Sequence, residues 1–246
     1  MPLSRLLVSA SLAALAALGG CAQSYIVPGA KADLQAFAPV SIQEGFAAKP
    51  SAPFPAAIAL VRVQGPTYAN FHLGPSAGPA GSRYSVVTTR EVEDDAQFDR
   101  LGKLPQVDGV TGLNRMLLPE HPGSEKDLRE AAARVHADLM LVYTFDTAFF
   151  NEDQATPLTA VSLGFLPTRR IAVSTTASAL LVDTRTGYVY STYESTKRSD
   201  TRASVWGSQD AADAARRDNE RAAFGELVES VAGSWPKLLD RYARKA

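Results

Sequence analysis

The sequence predicts one α/β (α+β) domain, built on a mixed sheet of about five or six strands with helices packed on at least one face. Three patterns predict this fold class. Two strand-like runs, residues 171–182 and 188–196, flank a turn and form a long hairpin in the C-terminal half. A segment with a helical apolar stripe leads into the strongly apolar run 139–145. From Ser208 onward, apolar residues recur at helical spacing and predict a long C-terminal helix.

The first half of the domain contains several shorter predicted elements. Residues 57–63 are apolar on both faces apart from Arg62, which is typical of a central strand. Residues 83–89 predict a second strand. Residues 91–101 predict a short helix with acidic residues in its first turn, where the helix dipole favours them. Residues 107–118 give a weaker strand pattern because two glycines interrupt it.

A better defined helix precedes the apolar run 139–145. Ser124 is its predicted N-cap, and Asp127 completes a capping box three residues later. The buried stripe is predicted to consist of Leu128, Ala131, Ala132 and Val135. The helix is expected to end at His136, and residues 158–165 predict a further short strand ahead of the hairpin.

The hairpin and the last helix complete the predicted domain. Asp183 is expected to cap its own turn, and Gly187 is expected to adopt positive φ before the chain re-enters the sheet. The first hairpin strand could extend to roughly 40 Å, so we expect it to bend or to project past the sheet. Pro236 is expected to break or kink the last helix and to leave a short terminal turn over residues 237–244.

The N-terminal residues have the pattern of a secretion signal. Residues 6–18 form an uninterrupted run of small and apolar side chains, too short to span a membrane. Residues 1–20 are therefore predicted to be a signal peptide, and the run ends in Leu18-Gly19-Gly20-Cys21. Cys21 is the only cysteine in the sequence, so no disulfide can form within the chain. The alternative is an ordinary signal peptide with a chance cysteine.

Two further segments are predicted beyond the signal peptide. Residues 21–55 are rich in Pro and Ala and predict an extended tether, although several apolar side chains suggest that part of it lies along the domain surface. Residues 56–246 are predicted to form a single globular domain.

Composition and motifs favour a non-catalytic protein. The formal net charge is -1 and acidic and basic residues are intermixed, so no nucleic-acid partner is predicted. No metal site is predicted, because His72, His121 and His136 lie in separate elements. No phosphate loop, dinucleotide fingerprint or nucleophile elbow is present, so no cofactor and no catalytic residue are predicted. The acidic cluster of Glu91, Glu93, Asp94 and Asp95 could form an acid/base pair, but a solvated helix face is the favoured interpretation.

One group of basic residues is the predicted partner-contact surface. If the hairpin forms, Arg169 and Arg170 would lie near the same end of the sheet as Lys197 and Arg198. They could contact an acidic partner or phospholipid head groups. The alternative is ordinary charges at strand ends.

The ending Leu18-Gly19-Gly20-Cys21 resembles a bacterial lipobox. This resemblance implies that Cys21 is acylated, with palmitate-type chains, and becomes the first residue of the mature chain. Two or three acyl chains would hold the protein on a membrane without a spanning helix. Ala22 is not the Asp that retains many such proteins at the inner membrane. The resemblance therefore implies the periplasmic face of the outer membrane.

Two stretches of the domain resemble a group of bacterial envelope lipoproteins. They are residues 131–138, a helix end before an apolar strand, and residues 180–189, which read Leu-Leu-Val-Asp-Thr-Arg-Thr-Gly-Tyr-Val. The group comprises the curli-secretion lipoprotein, the N-terminal domain of the Tol-system periplasmic protein, and lipoprotein activators of penicillin-binding proteins. The resemblance covers roughly residues 57–237, with His136 in place of the usual Gly. The organisation is also similar to rhombotarget-type lipoproteins, although no rhomboid-protease sorting tail follows Arg241.

This resemblance implies a non-catalytic accessory or docking factor for an envelope assembly. A second hypothesis is a homo-oligomeric secretion or pore-forming lipoprotein, in which residues 151–167 would insert in a membrane as a β-hairpin. A spanning strand needs about 9 to 11 residues, and only one marginal strand is present there. A third hypothesis is an enzyme or a small-molecule binder.

Overall fold

The structure is a computed structural model that describes residues 31–33, 42–69, 83–119, 122–153, 169–203 and 208–243. Its strands are β1 (Ala56–Gln64), β2 (Ser85–Val87), β3 (Val107–Gly112), β4 (Leu139–Asp153), β5 (Arg169–Asp183) and β6 (Val189–Ala203). Its helices are α1 (Ile42–Ala47), α2 (Asp95–Gly102), α3 (Glu125–Arg134) and α4 (Ser208–Tyr242). The strands form one mixed sheet in the order β2-β1-β4-β5-β6, with β3 also beside β1. The predicted fold class, hairpin and long terminal helix are confirmed.

The strand β1 lies in the interior of the sheet, as its two apolar faces predicted. It pairs in parallel with β3 and β4, and antiparallel with β2. Every side chain of β1 except that of Ala57 is buried. The buried set includes Arg62, the one residue that interrupts the apolar pattern.

Two predicted elements in the first half are shorter than expected. The strand predicted over residues 107–118 ends at Gly112, because the Asn114 side chain accepts a hydrogen bond from the Met116 N–H and starts a 3₁₀ turn. The short helix begins at Asp95, four residues later than predicted. Its N-cap is Asp94, whose N–H donates to Oε1 of Gln97 at 2.8 Å in a capping box.

The helix α3 begins and ends as predicted. The Ser124 N–H donates to the Asp127 carboxylate at 2.9 Å, so the predicted capping box is present. At the other end His136 adopts a φ of 56°, in the left-handed region. The Ala137 N–H then donates back to the Ala132 carbonyl at 3.0 Å, and the chain turns directly into β4.

The strands β4, β5 and β6 are each fifteen residues long and project beyond the rest of the sheet. Pairing between β1 and β4 covers only residues 139–142 of β4, whereas β4, β5 and β6 pair along almost their whole length. We call the part beyond β1 the three-stranded extension: residues 143–153, 169–179 and 193–203. The predicted projection of β5 is confirmed, and β4 and β6 project with it.

Helices cover both faces of the sheet near β1, but only one face of the extension in the described residues. On one face, α2 and α4 pack against a core that includes Leu101, Leu141, Phe145, Phe224, Leu227 and Trp235. On the other face, α3 packs through Leu128, Ala131 and Ala132 on Ala59, Val61, Met140 and Val142. Along the extension, Ala212 of α4 packs with Ile171 and Val173.

The final helix continues through Pro236 to Tyr242, so the predicted separate terminal turn is part of the same helix. The neighbouring side chains explain this continuity. Trp235 is fully buried and donates from Nε1 to the Pro105 carbonyl at 2.8 Å, and Leu238 is buried in the same core. Packing on both sides of Pro236 therefore outweighs the hydrogen bond that proline cannot donate.

Two segments of the predicted tether contact the domain. Lys31 forms a β-bridge with Gln64, and the Ala32 N–H donates to Oγ1 of Thr144 at 3.0 Å. Further on, the N–H groups of Ser51 and Ala52 donate to the Asp183 carboxylate at 2.7 and 2.8 Å. The predicted signal peptide, Cys21 and the predicted strand 158–165 lie outside the described residues.

Candidate docking surface

One face of the three-stranded extension carries alternate side chains that are exposed or half-buried. Because successive strand residues point to opposite faces, the even-numbered residues share this face. Direct contacts confirm it: the Thr176 and Thr196 hydroxyls lie 2.9 Å apart, and Oγ of Ser178 lies 3.5 Å from Glu194. We call this surface the open face: Asp146, Ala148, Phe150, Arg170, Ala172, Ser174, Thr176, Ser178, Glu194, Thr196, Arg198 and Asp200.

The open face combines small side chains with one exposed aromatic ring. Ala148, Ala172 and Ser174 leave a shallow depression of about 410 Å³, which Phe150 and Arg198 border. The Phe150 side chain is 60% exposed, although most large apolar side chains of the described residues are buried. A shallow surface with one exposed aromatic ring and charges around it is suited to contact with another macromolecule.

The sequence-predicted basic residues do not form one cluster. Arg170 and Arg198 both lie on the open face but are four pairs apart along the hairpin, roughly 13 Å. Arg170 forms an ion pair with Asp200 at 2.6 Å. Lys197 lies on the opposite face, where it pairs with Glu226 of α4. The backbone of Arg169 pairs with Asp153 and Ala203 at the end of the extension.

The N-terminal segment contacts the domain at the near end of the open face, which is the end at Asp146, closest to β1. The Lys31 ammonium lies 3.2 Å from the Asp146 carboxylate, and Lys31 also bridges to Gln64 of β1. Ala32, beside it, is buried. Residue 31 is therefore a fixed point between the N-terminus and the open face.

A second set of ionisable side chains is buried between the sheet and α4. The prediction that the acidic cluster of residues 91–95 forms a solvated helix face is wrong for two of its members. Instead, Glu93 is buried, accepts a hydrogen bond from the Tyr143 hydroxyl at 2.9 Å and lies 3.5 Å from the Arg62 guanidinium. Glu91 pairs with Arg216 at 2.6 Å. Asp94 and Asp95 remain at the surface, as a cap and as the ion-pair partner of Arg90.

Two buried guanidinium groups organise this interior cluster. Glu220 accepts from Arg62 at 3.1 Å and from Arg216 at 2.8 Å, and Arg216 also pairs with Asp213 at 2.9 Å. The Tyr68 hydroxyl completes the surroundings of Arg62 at 2.9 Å. Burial alone would lower the pKa of Arg62, but the charges of Glu220 and Glu93 raise it, so this group stays charged. Burial raises the pKa of Glu220, and both guanidiniums oppose that rise. These contacts make the cluster a structural ion network.

The Asp183 carboxylate joins the hairpin turn to the predicted tether. It accepts from the N–H groups of Arg185 and Thr186 at 2.9 and 3.1 Å, which confirms that it caps its own turn. It also accepts from the Tyr190 hydroxyl at 2.9 Å, besides the Ser51 and Ala52 N–H groups. Burial would raise the pKa of Asp183, but these hydrogen bonds outweigh it, so the pKa lies below its ordinary value.

The described residues contain no cluster of three or more His, Cys, Asp or Glu side chains placed to hold a metal ion. Of the three histidines, His136 lies at the end of α3, and His72 and His121 lie outside the described residues. Among the helices of the described residues, none is long and apolar enough to cross a membrane.

The sequence does not predict the open face. Residues 146–150 and 194–200 show no alternation of apolar and polar residue types, and their side chains alternate in burial only because the strands pair in the sheet. The sequence does not predict the interior ion network either, because Arg62 and Glu220 are separated by 158 residues.

No family model matches this chain, and no curated protein matches it by sequence. The solved structures that resemble it distantly include two bacterial proteins. One is a protein from Caulobacter crescentus CB15, provisionally described as a lipoprotein, with 14% identity and a TM-score of 0.27 over 47% of this chain and 81% of that one. The other is a Helicobacter pylori protein, provisionally described as a homolog of the neuraminyllactose-binding hemagglutinin. It has 12% identity and a TM-score of 0.33 over 83% of this chain and 92% of that one.

Proposed function

We propose that this chain is a lipid-anchored lipoprotein on the periplasmic face of the outer membrane, where it acts as a non-catalytic docking factor for an envelope assembly. The anchor is Cys21, in the lipobox-like Leu18-Gly19-Gly20-Cys21. Each buried CH₂ of an acyl chain contributes about 0.8 kcal/mol, so two or three chains hold the protein stably on a bilayer. The partners are the membrane, through the lipid, and an envelope protein.

The observation that carries the docking role is the position of Lys31 at the near end of the open face. Lys31 is the tenth residue after Cys21, and a chain of ten residues spans at most about 35 Å. An anchor at Cys21 would therefore keep the Asp146 end of the open face within that distance of the membrane surface. Phe150 lies four residues further along β4, roughly 13 Å away, so the shallow depression would be within reach of a partner at the membrane.

The interior charged residues support a non-catalytic role. A general acid or base needs a proton-exchanging side chain within reach of a substrate. The carboxylates of Glu93 and Glu220 are instead buried against the guanidiniums of Arg62 and Arg216. We assign these groups to stability.

The anchor is tested with a Cys21→Ala variant in cells that process lipoproteins. We expect the wild-type chain in the outer-membrane fraction of a density gradient and the variant in the soluble fraction, because the variant has no acylation site. Wild type in the inner-membrane fraction would overturn the outer-membrane assignment. Retention of the variant on membranes would contradict the lipid anchor itself.

The docking surface is tested by placing a photo-crosslinking amino acid at Ser174, in the depression of the open face. The matched control position is Lys126, an exposed residue of α3 on another part of the domain. We expect a discrete adduct of reproducible mass from position 174 and none from position 126. Equal labelling at both positions, or none at either, would contradict docking at the open face.

A further inference from the structure

The strand β6 forms one edge of the sheet. It pairs with β5 on one side, and the described residues place no strand on its other side. Its outward N–H and C=O groups form no backbone hydrogen bonds with other segments of the described chain. Exposed edges of this length tend to pair with another strand unless charges or bulges prevent it. The charges on β6 therefore decide whether it can pair and with what.

The charges on the open-face side of β6 are complementary to a second copy of the same strand. Glu194 and Arg198 lie two positions on either side of Thr196. In an antiparallel pair with its two-fold axis at Thr196, each Glu194 would face Arg198 of the other copy. Both side chains are exposed, and neither forms an ion pair within the described residues. Opposite charges directly across an antiparallel pair stabilise it.

Neighbouring registers either bring like charges together or bring no opposite charges together. A two-fold axis at Lys197 would place Lys197 opposite its own copy and Glu194 opposite Asp200. An axis at Arg198 would bring Glu194 opposite Arg202 but would also oppose the two Arg198 side chains, and an axis at Ser195 would bring no opposite charges together. Since like charges directly opposite are destabilising, the register centred on Thr196 is favoured.

Space for the second strand is present beside Thr196. A cleft of about 420 Å³ follows this edge and is lined by Glu194, Ser195, Thr196, Glu226, Glu229 and Ser230. The helix α4 lies over β5 and β6. Oγ of Ser195 donates to the Glu226 carboxylate at 2.8 Å, and the Tyr193 and Ser234 hydroxyls lie 2.8 Å apart. Asn219 donates to the Val173 carbonyl of β5 at 2.9 Å. Strands are about 4.8 Å apart, so two such helices would lie about 10 Å apart at the axis, a normal packing distance.

We propose that β6 is a self-association edge: two copies of this chain pair antiparallel through β6 about a two-fold axis at Thr196, which joins their sheets. The interface is isologous, as in most homodimers. This inference goes beyond the proposed docking function and does not depend on the lipid anchor or on a partner at the open face. The open face of each copy stays accessible in the dimer.

The pairing is tested by disulfide crosslinking of the detergent-extracted full-length chain carrying Thr196→Cys. In the proposed register the two Cα atoms at residue 196 lie about 5 Å apart, within disulfide range. The matched control is Thr176→Cys, on the same face and directly beside Thr196 on β5. Two copies of residue 176 would lie about 14 Å apart, too far for a disulfide. The wild-type chain, whose only cysteine is Cys21, controls for crosslinking through that residue.

We expect a covalent dimer from Thr196→Cys under mild oxidation, and none from Thr176→Cys or from wild type. Crosslinking of both variants to the same extent, or of neither, would overturn the proposal. Loss of membrane association by Cys21→Ala would leave this result unchanged, so failure of the two proposals can be told apart.

A charge exchange tests the register. Arg198→Glu would place a Glu opposite Glu194 at both ends of the pair. We expect the dimer dissociation constant, measured by analytical ultracentrifugation, to rise about ten-fold. The double variant Glu194→Arg with Arg198→Glu restores both opposite-charge pairs, and we expect it to recover wild-type affinity. An unchanged urea-unfolding midpoint verifies that each variant is folded. A monomeric wild type, or a double variant as weak as the single one, would contradict the register.

Discussion

Arg62 interrupts an otherwise apolar central strand because it forms ion pairs with residues from two other parts of the chain. Its guanidinium is 1% exposed and contacts the carboxylates of Glu93 and Glu220, together with the Tyr68 hydroxyl. The Phe145 ring lies 4.7 Å from its guanidinium carbon. A buried charge is tolerated only when it is paired and hydrogen-bonded, and the terminal nitrogens of Arg62 meet that condition through Glu93, Glu220 and Tyr68, while its Nε has no hydrogen-bond partner among the described residues.

Replacing Arg62 by Met is therefore expected to destabilise the fold strongly. The substitution leaves Glu93 and part of Glu220 buried without a counter-charge, which costs about 3–5 kcal/mol. The measurement is the free energy of unfolding in urea, compared with Lys126→Met. Lys126 forms only an exposed pair with Glu130, so its replacement should cost about 0.5 kcal/mol or less. A loss below about 1 kcal/mol for Arg62→Met would contradict the structural role of this ion network.

The Asp183 carboxylate is expected to make stability depend on pH. Its pKa is lowered in the folded state, so its contribution is fully present above the unfolded pKa of about 3.9 and is lost as pH falls through the folded pKa. Asp183→Asn should cost about 1.5–3 kcal/mol near neutral pH, since several hydrogen bonds to a charged group are weakened.

The measurement is urea unfolding of wild type and Asp183→Asn between pH 7 and pH 3. We expect the difference between them to be constant near neutrality and to shrink below about pH 4. Asp108→Asn, on an exposed side chain of β3, is the control and should follow wild type. A difference that does not change with pH would show that the ionised form of Asp183 is not what stabilises the turn.

At the scale of single elements, local signals predicted the start of α3 and the hairpin turn better than they predicted strand lengths. Ser124 and Asp127 act within one helical turn, and Asp183 bonds to N–H groups two and three residues away, so both were visible in the sequence. The length of β4 was not, because residues 146–153 are strand only through their pairing with β5. The prediction of a solvated acidic cluster was wrong because it also depended on a contact distant in sequence: Glu91 forms an ion pair with Arg216 of α4.

The end of α3 supplies a prediction for one element. His136 occupies the left-handed region with a φ of 56°, where a side chain costs about 1 kcal/mol relative to Gly. We expect His136→Gly to raise the free energy of unfolding by about 0.5–1 kcal/mol, and His136→Val to lower it, because a β-branched residue is disfavoured there. His136 is exposed, so no packing is lost in either variant. A Gly variant less stable than wild type would contradict this explanation.

At the scale of the whole molecule, the sheet has two differently built halves. Near β1, helices cover both faces and form the two main cores. In the three-stranded extension, α4 covers one face, while the described residues leave the other face and the β6 edge without a covering element. We propose that the first half provides stability, and that the open face and the β6 edge provide contacts with an envelope partner and with a second copy.

The proposed anchor would connect this architecture to a location. Lys31 fixes the chain at the open face, and Cys21 lies ten residues before it. The proposed anchor therefore requires that the mature chain begin at Cys21 and carry acyl chains there. The distance of the open face from the membrane depends on this single modification.

Mass spectrometry of the purified mature chain tests this requirement most directly. We predict an N-terminal residue Cys21 whose sulfur carries a diacylglyceryl group, and release of fatty acids, including palmitate, on hydrolysis. The Cys21→Ala chain should carry no lipid. A mature chain that begins at another residue, or that begins at Cys21 without acyl groups, would contradict the account.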